Sequence, residues 1–163
     1  MFKFNYLLEF KSNYFTIQGE KNMRFGSKKK NKYHNVKQEK YGQKWDSEME
    51  LDYYESVCLP NLESGEWLKV DTQQTFILQE KFKYKDKTIL PIKYIADFVI
   101  ETKEHELIIV DTKGMPPTSD FKLKWKMMKY KYPQYTYKCL KGIGRDKRKG
   151  IMHYQNWEQV KGC

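Results

Sequence analysis

Two apolar segments joined by a short polar turn constrain the fold of this chain more than any other feature. Residues 92–100 (IKYIADFVI) and residues 107–110 (LIIV) are rich in β-branched residues, and the sequence ETKEHE connects them. A polar connection of that length is typical of an antiparallel β-hairpin. The second segment is apolar without interruption, as expected for a strand that is buried on both faces. The sequence therefore predicts a central hairpin in a covered sheet.

A helix is predicted on each side of this hairpin along the chain. Ser47 is a good N-cap, Glu50 follows at the capping-box position, and apolar residues continue to Pro60, which we expect to end the helix. The second helix is predicted over residues 118–130, after a break that contains two prolines.

Further strands are predicted over residues 67–78, which Phe82 and Tyr84 continue, and over residues 135–140. The order is then helix, three strands, helix, strand. This order predicts an α/β fold with a mixed central sheet that is flanked by helices.

The charges are segregated along the chain. The net charge of the whole chain is +10, yet residues 45–120 carry a net charge of −8. Residues 24–44 and 122–149 carry net charges of +7 and +10. This pattern suits a protein that grips a polyanion with its flanks and holds metal ions at its centre, although charged runs can also be solvated surfaces.

The charge pattern and the predicted elements divide the chain into three parts. Residues 1–44 are expected to be an N-terminal extension and an exposed basic arm, because the arm lacks apolar periodicity. Residues 45–142 are expected to form the core. Residues 143–163 are expected to be a basic C-terminal tail.

The cysteines and the N-terminus bear on the cellular compartment. Cys58, Cys139 and Cys163 show no metal-ligand spacing, and an odd count without a signal sequence favours free thiols in a reducing compartment. No segment approaches the ~18 apolar residues of a membrane span. We therefore expect a cytoplasmic protein that does not contact membranes.

Asp111 and Lys113 form the first candidate for chemistry. They lie at the end of the strand over residues 107–110, and residues two apart on a strand share a face. Hydrolysis of a phosphodiester needs a hard cation held by carboxylates, and a lysine can orient the attacking water. The motif D-x-K alone is common, however, and can be an exposed ion pair.

Asp97 and Glu50 are the other candidate acids. Asp97 interrupts an apolar strand, where a carboxylate is costly unless it is paired, hydrogen-bonded or metal-bound, and the hairpin can bring it close to Asp111. It could instead accept backbone N–H groups. Glu50 could supply a third carboxylate, but the capping box with Ser47 also explains it fully.

These motifs resemble those of a known superfamily. The sequences SEME, IADF and VDTKG resemble, in order, the pattern E…PD…(D/E)xK of the PD-(D/E)XK nucleases, with Ala96 in place of the proline. The layout of residues 44–142 is similar to small phage-encoded endonucleases of the endonuclease I type, which resolve Holliday junctions. The resemblance implies a restriction-endonuclease-like core with the order α-β-β-β-α-β.

The resemblance also implies a function and roles for residues. It implies a metal-dependent DNA endonuclease of phage recombination that acts on branched DNA as a homodimer, in the cytoplasm of a bacterial host. Asp97, Asp111 and the Thr112 carbonyl would bind Mg²⁺ or Mn²⁺. Lys113 would position the attacking hydroxide, and Glu50 would bind or tune a second metal ion.

The basic flanks supply the candidate DNA contacts. Lysines of the second helix alternate with apolar residues, so an apolar face can dock on the sheet while lysines face phosphates. A solvated face that binds nothing is the alternative. The candidate DNA-binding residues are Lys28, Lys29, Lys30, Lys122, Lys124, Lys126, Lys129, Arg145 and Arg148.

Two other functions account for the basic flanks. A catalytically inactive DNA-binding protein could keep the nuclease fold, but it would have no need to retain Asp97, Asp111 and Lys113 together. An RNA-binding or assembly protein could stack some of the 13 tyrosines on bases.

Overall fold

The chain folds into a mixed α/β structure, and the computed structural model describes residues 37–163. The strands are β1 (Gln38–Lys40), β2 (Gln43–Trp45), β3 (Trp67–Gln79), β4 (Phe82–Tyr84), β5 (Lys87–Ile89), β6 (Ile92–Thr102), β7 (Leu107–Thr112), β8 (Thr136–Ile143) and β9 (Asn156–Gln159). Strands β3, β6, β7, β8 and β9 form one sheet in that order, in which β7 and β8 are parallel and the other neighbours antiparallel. The predicted hairpin is β6–β7, near the middle of this sheet.

The first helix begins where the sequence predicts and ends later. It starts as α1 (Glu48–Tyr53), whose N-cap is Ser47, passes through a π-helical turn (Tyr54–Cys58) and continues as α2 (Leu59–Glu63). The prediction that Pro60 ends the helix is therefore wrong. Because the hydrogen bonding changes from π to α at this point, Pro60 is the second residue of a new α-helical segment, where its missing N–H costs little.

The second predicted helix is present as α3 (Ser119–Lys131). Its N-cap is Thr118, whose hydroxyl oxygen accepts the Phe121 N–H at 3.2 Å. Trp125 and Met128 are its buried residues. Within residues 37–163, no helix is long and apolar enough to cross a lipid bilayer.

The sheet is covered by a helix on each face. On one face, Ile109 of β7 packs in a buried cluster with Met128 of α3. On the other face, Val110 packs in a second cluster with Leu51 of α1. Neighbouring residues of β7 thus point to opposite cores, which explains why this strand is continuously apolar.

Part of the predicted basic arm (residues 24–44) forms a short hairpin, which the sequence did not predict. Strands β1 and β2 pair around Tyr41 and Gly42, which both have positive φ. The hairpin is anchored by Trp45, which is 2% exposed and donates its indole N–H to the Lys40 carbonyl at 3.0 Å. Burial of one large aromatic side chain at its end stabilises this otherwise polar segment.

The region between β3 and β6 also differs from the prediction. Phe82 and Tyr84 do not continue β3 but form the separate hairpin β4–β5, which turns at Lys85 and Asp86. The other elements follow the predicted order of helix, three strands, helix and strand.

The segment after β8 is structured, although the sequence analysis predicted no element in it. It contains a 3-10 helix (Lys147–Lys149) and the edge strand β9. Trp157 of β9 packs edge-on against Tyr53, with ring centroids 4.8 Å apart. The C-terminal segment therefore completes the core on the α1 face.

The cysteines differ from the expectation of three free thiols. Cys139 of β8 and Cys163 are paired as a disulfide, with Cα atoms 6.3 Å apart, whereas Cys58 is free and buried. Strand β9 runs antiparallel to β8 and brings Cys163 back to Cys139. The linear spacing of the cysteines could not show this.

Candidate functional site

The register of the β6–β7 hairpin brings two carboxylates together. Phe98 of β6 lies opposite Val110 of β7. The next residues beyond this pair are Asp97 and Asp111, and the Asp97 Oδ2 accepts the N–H of Thr112, the residue after Asp111, at 2.7 Å. The structure thus places the two acids together, as expected from the hairpin.

A reversal of faces beside Asp97 explains how an apolar strand accommodates an acid. In β6, Ala96 belongs to the core under α3, whereas Phe98, two residues later, packs in the core under α1. On the neighbouring strand β3, opposite Asp97, Gln73 has a positive φ of 53°. Residues two apart on a regular strand share a face, so the sheet is irregular here. Asp97 lies at the reversal, half-buried and outside both cores.

Asp111 is held by two side chains in a buried position. It is 2% exposed, and its Oδ2 accepts a hydrogen bond from the Tyr94 hydroxyl at 2.6 Å. The Lys113 ammonium contacts its Oδ1 and lies 4.3 Å from the centroid of the Phe121 ring. Lys113 is therefore fixed between a carboxylate and an aromatic face rather than exposed as a surface ion pair.

Asp97 connects the two strands and keeps one oxygen available. Its Oδ2 accepts the Thr112 N–H at 2.7 Å and the Thr112 hydroxyl at 3.0 Å. No donor within residues 37–163 hydrogen-bonds to its Oδ1. Asp97 thus accepts a backbone N–H, as one interpretation of the sequence expected, and can still offer Oδ1 to a ligand.

Glu50 forms the predicted capping interaction and is 8% exposed. Its N–H donates to the Ser47 Oγ at 3.2 Å, its Oε1 accepts the Ser47 hydroxyl at 2.8 Å, and its Oε2 accepts the Gln73 amide at 3.1 Å. A carboxylate has further lone pairs, so its role as a metal ligand stays a prediction. Glu48, the reserve candidate, is paired instead with Arg145 at 3.0 Å.

Charge is crowded at this site. Burial raises the pKa of Asp97 well above its usual range, and the negative charges of Asp111 and Glu50 add to the rise. Burial also raises the pKa of Glu50, and that of Asp111 in spite of the opposing effect of Lys113. A bound cation would relieve this repulsion.

The donor atoms on the paired strands suit a hard divalent cation. Asp97 and Asp111 offer carboxylate oxygens, the ligands that Mg²⁺ and Mn²⁺ prefer. In the described part of the chain, no group of three or more His, Cys, Asp or Glu side chains has the spacing of a metal site. The fit to a cation therefore rests on the two aspartates.

The lysines predicted to bind DNA on α3 are mostly exposed. Lys122, Lys126 and Lys129 are exposed, whereas Lys124 is partly buried and pairs with Asp120 at 3.1 Å. An exposed row of ammonium groups on α3 is free to meet phosphates.

The other predicted DNA contacts differ from one another. Arg145 is largely buried, pairs with Glu48, and lies 5.2 Å from the centroid of the Tyr154 ring. These contacts favour a structural role. Arg148 is exposed on the 3-10 helix. The predicted contacts Lys28, Lys29 and Lys30 lie outside the described residues.

Sequence reasoning missed Tyr94 and Gln73. Tyr94 is three residues before Asp97, a spacing that puts side chains on opposite faces of a regular strand. Its approach to the aspartate pair depends on the reversal of faces, which no local motif indicates. Gln73 comes from β3, and nothing in its own segment points to Glu50.

The protein is thus a mixed α/β protein. It carries two neighbouring aspartates, Asp97 and Asp111, and the lysine Lys113 at the end of a central strand. The chain matches the family model described as Protein of unknown function (DUF1064) over residues 21–144. It belongs to that family, and the match includes every candidate residue from Glu50 to Lys113. None of the curated proteins and none of the solved structures matches the chain.

Proposed function

We propose that this protein is a metal-dependent DNA endonuclease of the PD-(D/E)XK kind. The observation that carries the proposal is the pairing of β6 with β7, which brings Asp97 to the Thr112 N–H next to Asp111, while Lys113 pairs with Asp111. The order of the elements supports it, because a helix, three strands, a helix and a strand is the order that the resemblance to that superfamily implies.

The proposed reaction is hydrolysis of a phosphodiester. Water attacks phosphorus, the bond from phosphorus to the 3′ oxygen breaks, and the products are a 5′-phosphate and a 3′-hydroxyl. The Lys113 ammonium is held beside the acids, where it orients the attacking water and offsets charge on the phosphate oxygens. Tyr94 fixes the orientation of Asp111 through its 2.6 Å hydrogen bond.

Asp97 and Asp111 are the residues that would hold Mg²⁺ or Mn²⁺, with the Thr112 carbonyl as a further oxygen. The cation would stabilise the charge on the phosphate and lower the pKa of water. The negative charges of Asp111 and Glu50 help to raise the pKa of Asp97, which supports a positive ligand at this pair. A phage recombination role, branched DNA as substrate and a homodimer are proposed from the resemblance of the motifs.

Cleavage of a panel of labelled DNAs tests this proposal. The panel contains a four-way junction, a nicked duplex, a linear duplex and a single strand, each with Mg²⁺ and with EDTA. Paired, symmetric cuts that need Mg²⁺ and are confined to the junction support a dimeric resolvase. Cuts in the other DNAs support the proposed nuclease activity but contradict the proposed role in resolving junctions. Tight binding without cleavage of any DNA rejects the nuclease in favour of an inactive DNA-binding protein.

The role of Glu50 can be separated from its capping role with two variants. Ser47→Ala removes the cap and leaves the carboxylate, whereas Glu50→Gln keeps an acceptor for Ser47 and removes the charge. Loss of a cap costs about 1 kcal/mol of unfolding free energy. If Glu50 serves the metal, Glu50→Gln loses cleavage and Ser47→Ala keeps it. Wild-type cleavage by both variants assigns Glu50 to the cap alone.

A further inference from the structure

The hairpin β4–β5 is exposed on both faces and carries large side chains. All residues from 81 to 90 are exposed, and Phe82, Tyr84 and Leu90 are 46%, 61% and 76% exposed. A two-stranded hairpin that packs on nothing is only marginally stable in water, and outward-facing aromatic residues do not stabilise it by burial. These side chains are therefore available to a partner.

The two faces of the hairpin differ in chemistry. Phe82 pairs with Ile89 and Tyr84 with Lys87, and directly opposed residues share a face, so this face is largely apolar. The opposite face carries Lys83. Aromatic and cationic groups are thus presented together on one narrow ribbon.

The hairpin is positively charged, although the middle of the chain is acidic. Residues 81–93 contain five lysines and one aspartate, whereas residues 45–120 as a whole carry a net charge of −8. Within the part of the chain that the structure describes, none of these five lysines forms an ion pair. Unpaired positive charge favours a polyanion as partner and disfavours a second copy of the same hairpin.

The hairpin adjoins the N-terminal end of β6, which extends past the C-terminal end of β7 where Asp111 lies. It precedes β6 directly, and Asp97 is five residues into β6, about 17 Å from Ile92 at 3.3 Å per residue. Lys93 and Ile95 are exposed on the strand between them. At a rise of about 3.4 Å per base pair, this distance is about five base pairs of DNA.

We propose that β4–β5 docks in the major groove of duplex DNA about five base pairs from the cleaved phosphate, an inference that rests on the proposed function. The major groove admits a two-stranded β-ribbon. Lysines of the hairpin contact the flanking phosphates, and Phe82 and Tyr84 contact base edges. The hairpin thus fixes the duplex against the active site.

Two double variants with the same change of net charge test the proposal. Lys83→Gln/Lys87→Gln removes two charges from the hairpin, and Lys69→Gln/Lys103→Gln removes two exposed lysines near the opposite end of β6. Binding of the full chain to a 30-base-pair duplex is measured in EDTA by fluorescence anisotropy over a range of salt concentrations. The slope of log K against log salt is negative, and each lost phosphate contact should make it shallower by about one.

The hairpin variant is expected to bind about tenfold more weakly than wild type at 100 mM salt, with a negative slope that is shallower by about two. The control variant should bind within about threefold of wild type. Phe82→Ser/Tyr84→Ser should weaken binding without changing the slope, because it removes no charge. Thermal melts check that each variant is folded. We expect the hairpin variants to fold, because the substituted side chains are exposed.

The outcomes separate this proposal from the proposed nuclease. If wild type cuts DNA but the hairpin and control variants bind alike, the hairpin proposal is overturned and the nuclease stands. If wild type binds acidic vesicles through Phe82 and the hairpin does not affect DNA binding, the partner is a lipid surface and the proposal is again overturned. If wild type neither binds nor cuts DNA, both proposals fail.

Discussion

Asp97→Asn tests whether the opposed carboxylates repel each other in the metal-free protein. Asparagine keeps the acceptor oxygen for the Thr112 N–H, which is 2.7 Å from Asp97, but it carries no charge. Two unit charges about 5 Å apart repel by about 3 kcal/mol at an effective dielectric constant of about 20. Weaker hydrogen bonds to the neutral acceptor and the lost attraction of the Lys113 ammonium together offset about 1–2 kcal/mol. We therefore expect the variant to be more stable by about 1–2 kcal/mol.

Urea unfolding followed by tryptophan fluorescence measures this difference in EDTA at pH 8, where the carboxyl is more fully ionised. Asp71→Asn is the control, because Asp71 lies on the neighbouring strand β3 with an exposed ion pair to Lys69 at 2.7 Å. The control should change stability by less than about 0.5 kcal/mol. Addition of Mg²⁺ should stabilise wild type and leave Asp97→Asn unchanged, because only wild type keeps both ligands.

The contrary result is equally clear. If Asp97→Asn is less stable than wild type by more than about 1 kcal/mol in EDTA, its two hydrogen bonds to Thr112 outweigh the repulsion. Asp97 would then be a structural acceptor that holds β6 to β7, and the argument for a cation site at this pair would be wrong.

The packing of a glycine and of a methionine can be tested by urea unfolding. Gly142→Ala should cost about 1–3 kcal/mol, because the added Cβ would lie 2.6 Å from Cδ1 of the Tyr154 ring, whereas Gly114→Ala meets only an ordinary contact at 3.7 Å. Met128→Ala should cost about 2–5 kcal/mol because Met128 is fully buried, and Leu123→Ala on the same helix, 58% exposed, should cost less than about 0.5 kcal/mol. Equal losses within either pair would refute the assigned packing.

The features that the sequence predicted are those with local signals. The alternation of apolar residues and the polar turn predicted β6–β7, and the N-cap Ser47 predicted where the first helix begins. The length of the turn brings Asp97 and Asp111 to neighbouring positions on the two strands. The pair could be predicted because both acids belong to one hairpin.

The features that the sequence did not predict depend on distant segments. Tyr94 reaches Asp111 only because the sheet reverses its faces beside Asp97, opposite Gln73 of another strand. The sequence around Trp157 does not predict a strand, and the segment was expected to be a basic tail. The edge-on contact of Trp157 with Tyr53 holds this segment against the core. Long-range packing decides both.

The single most direct test of the proposed nuclease is Asp111→Ala, measured for cleavage with Mg²⁺ and for DNA binding in EDTA. Cleavage by this variant is expected to fall by at least about 100-fold, because a cation ligand is lost. Binding should be kept or become tighter, because a negative charge is removed from the DNA-facing site. Asp71→Ala, an exposed acid on β3, should cut and bind as wild type does. Cleavage by Asp111→Ala at the wild-type rate would contradict the assignment of the active site.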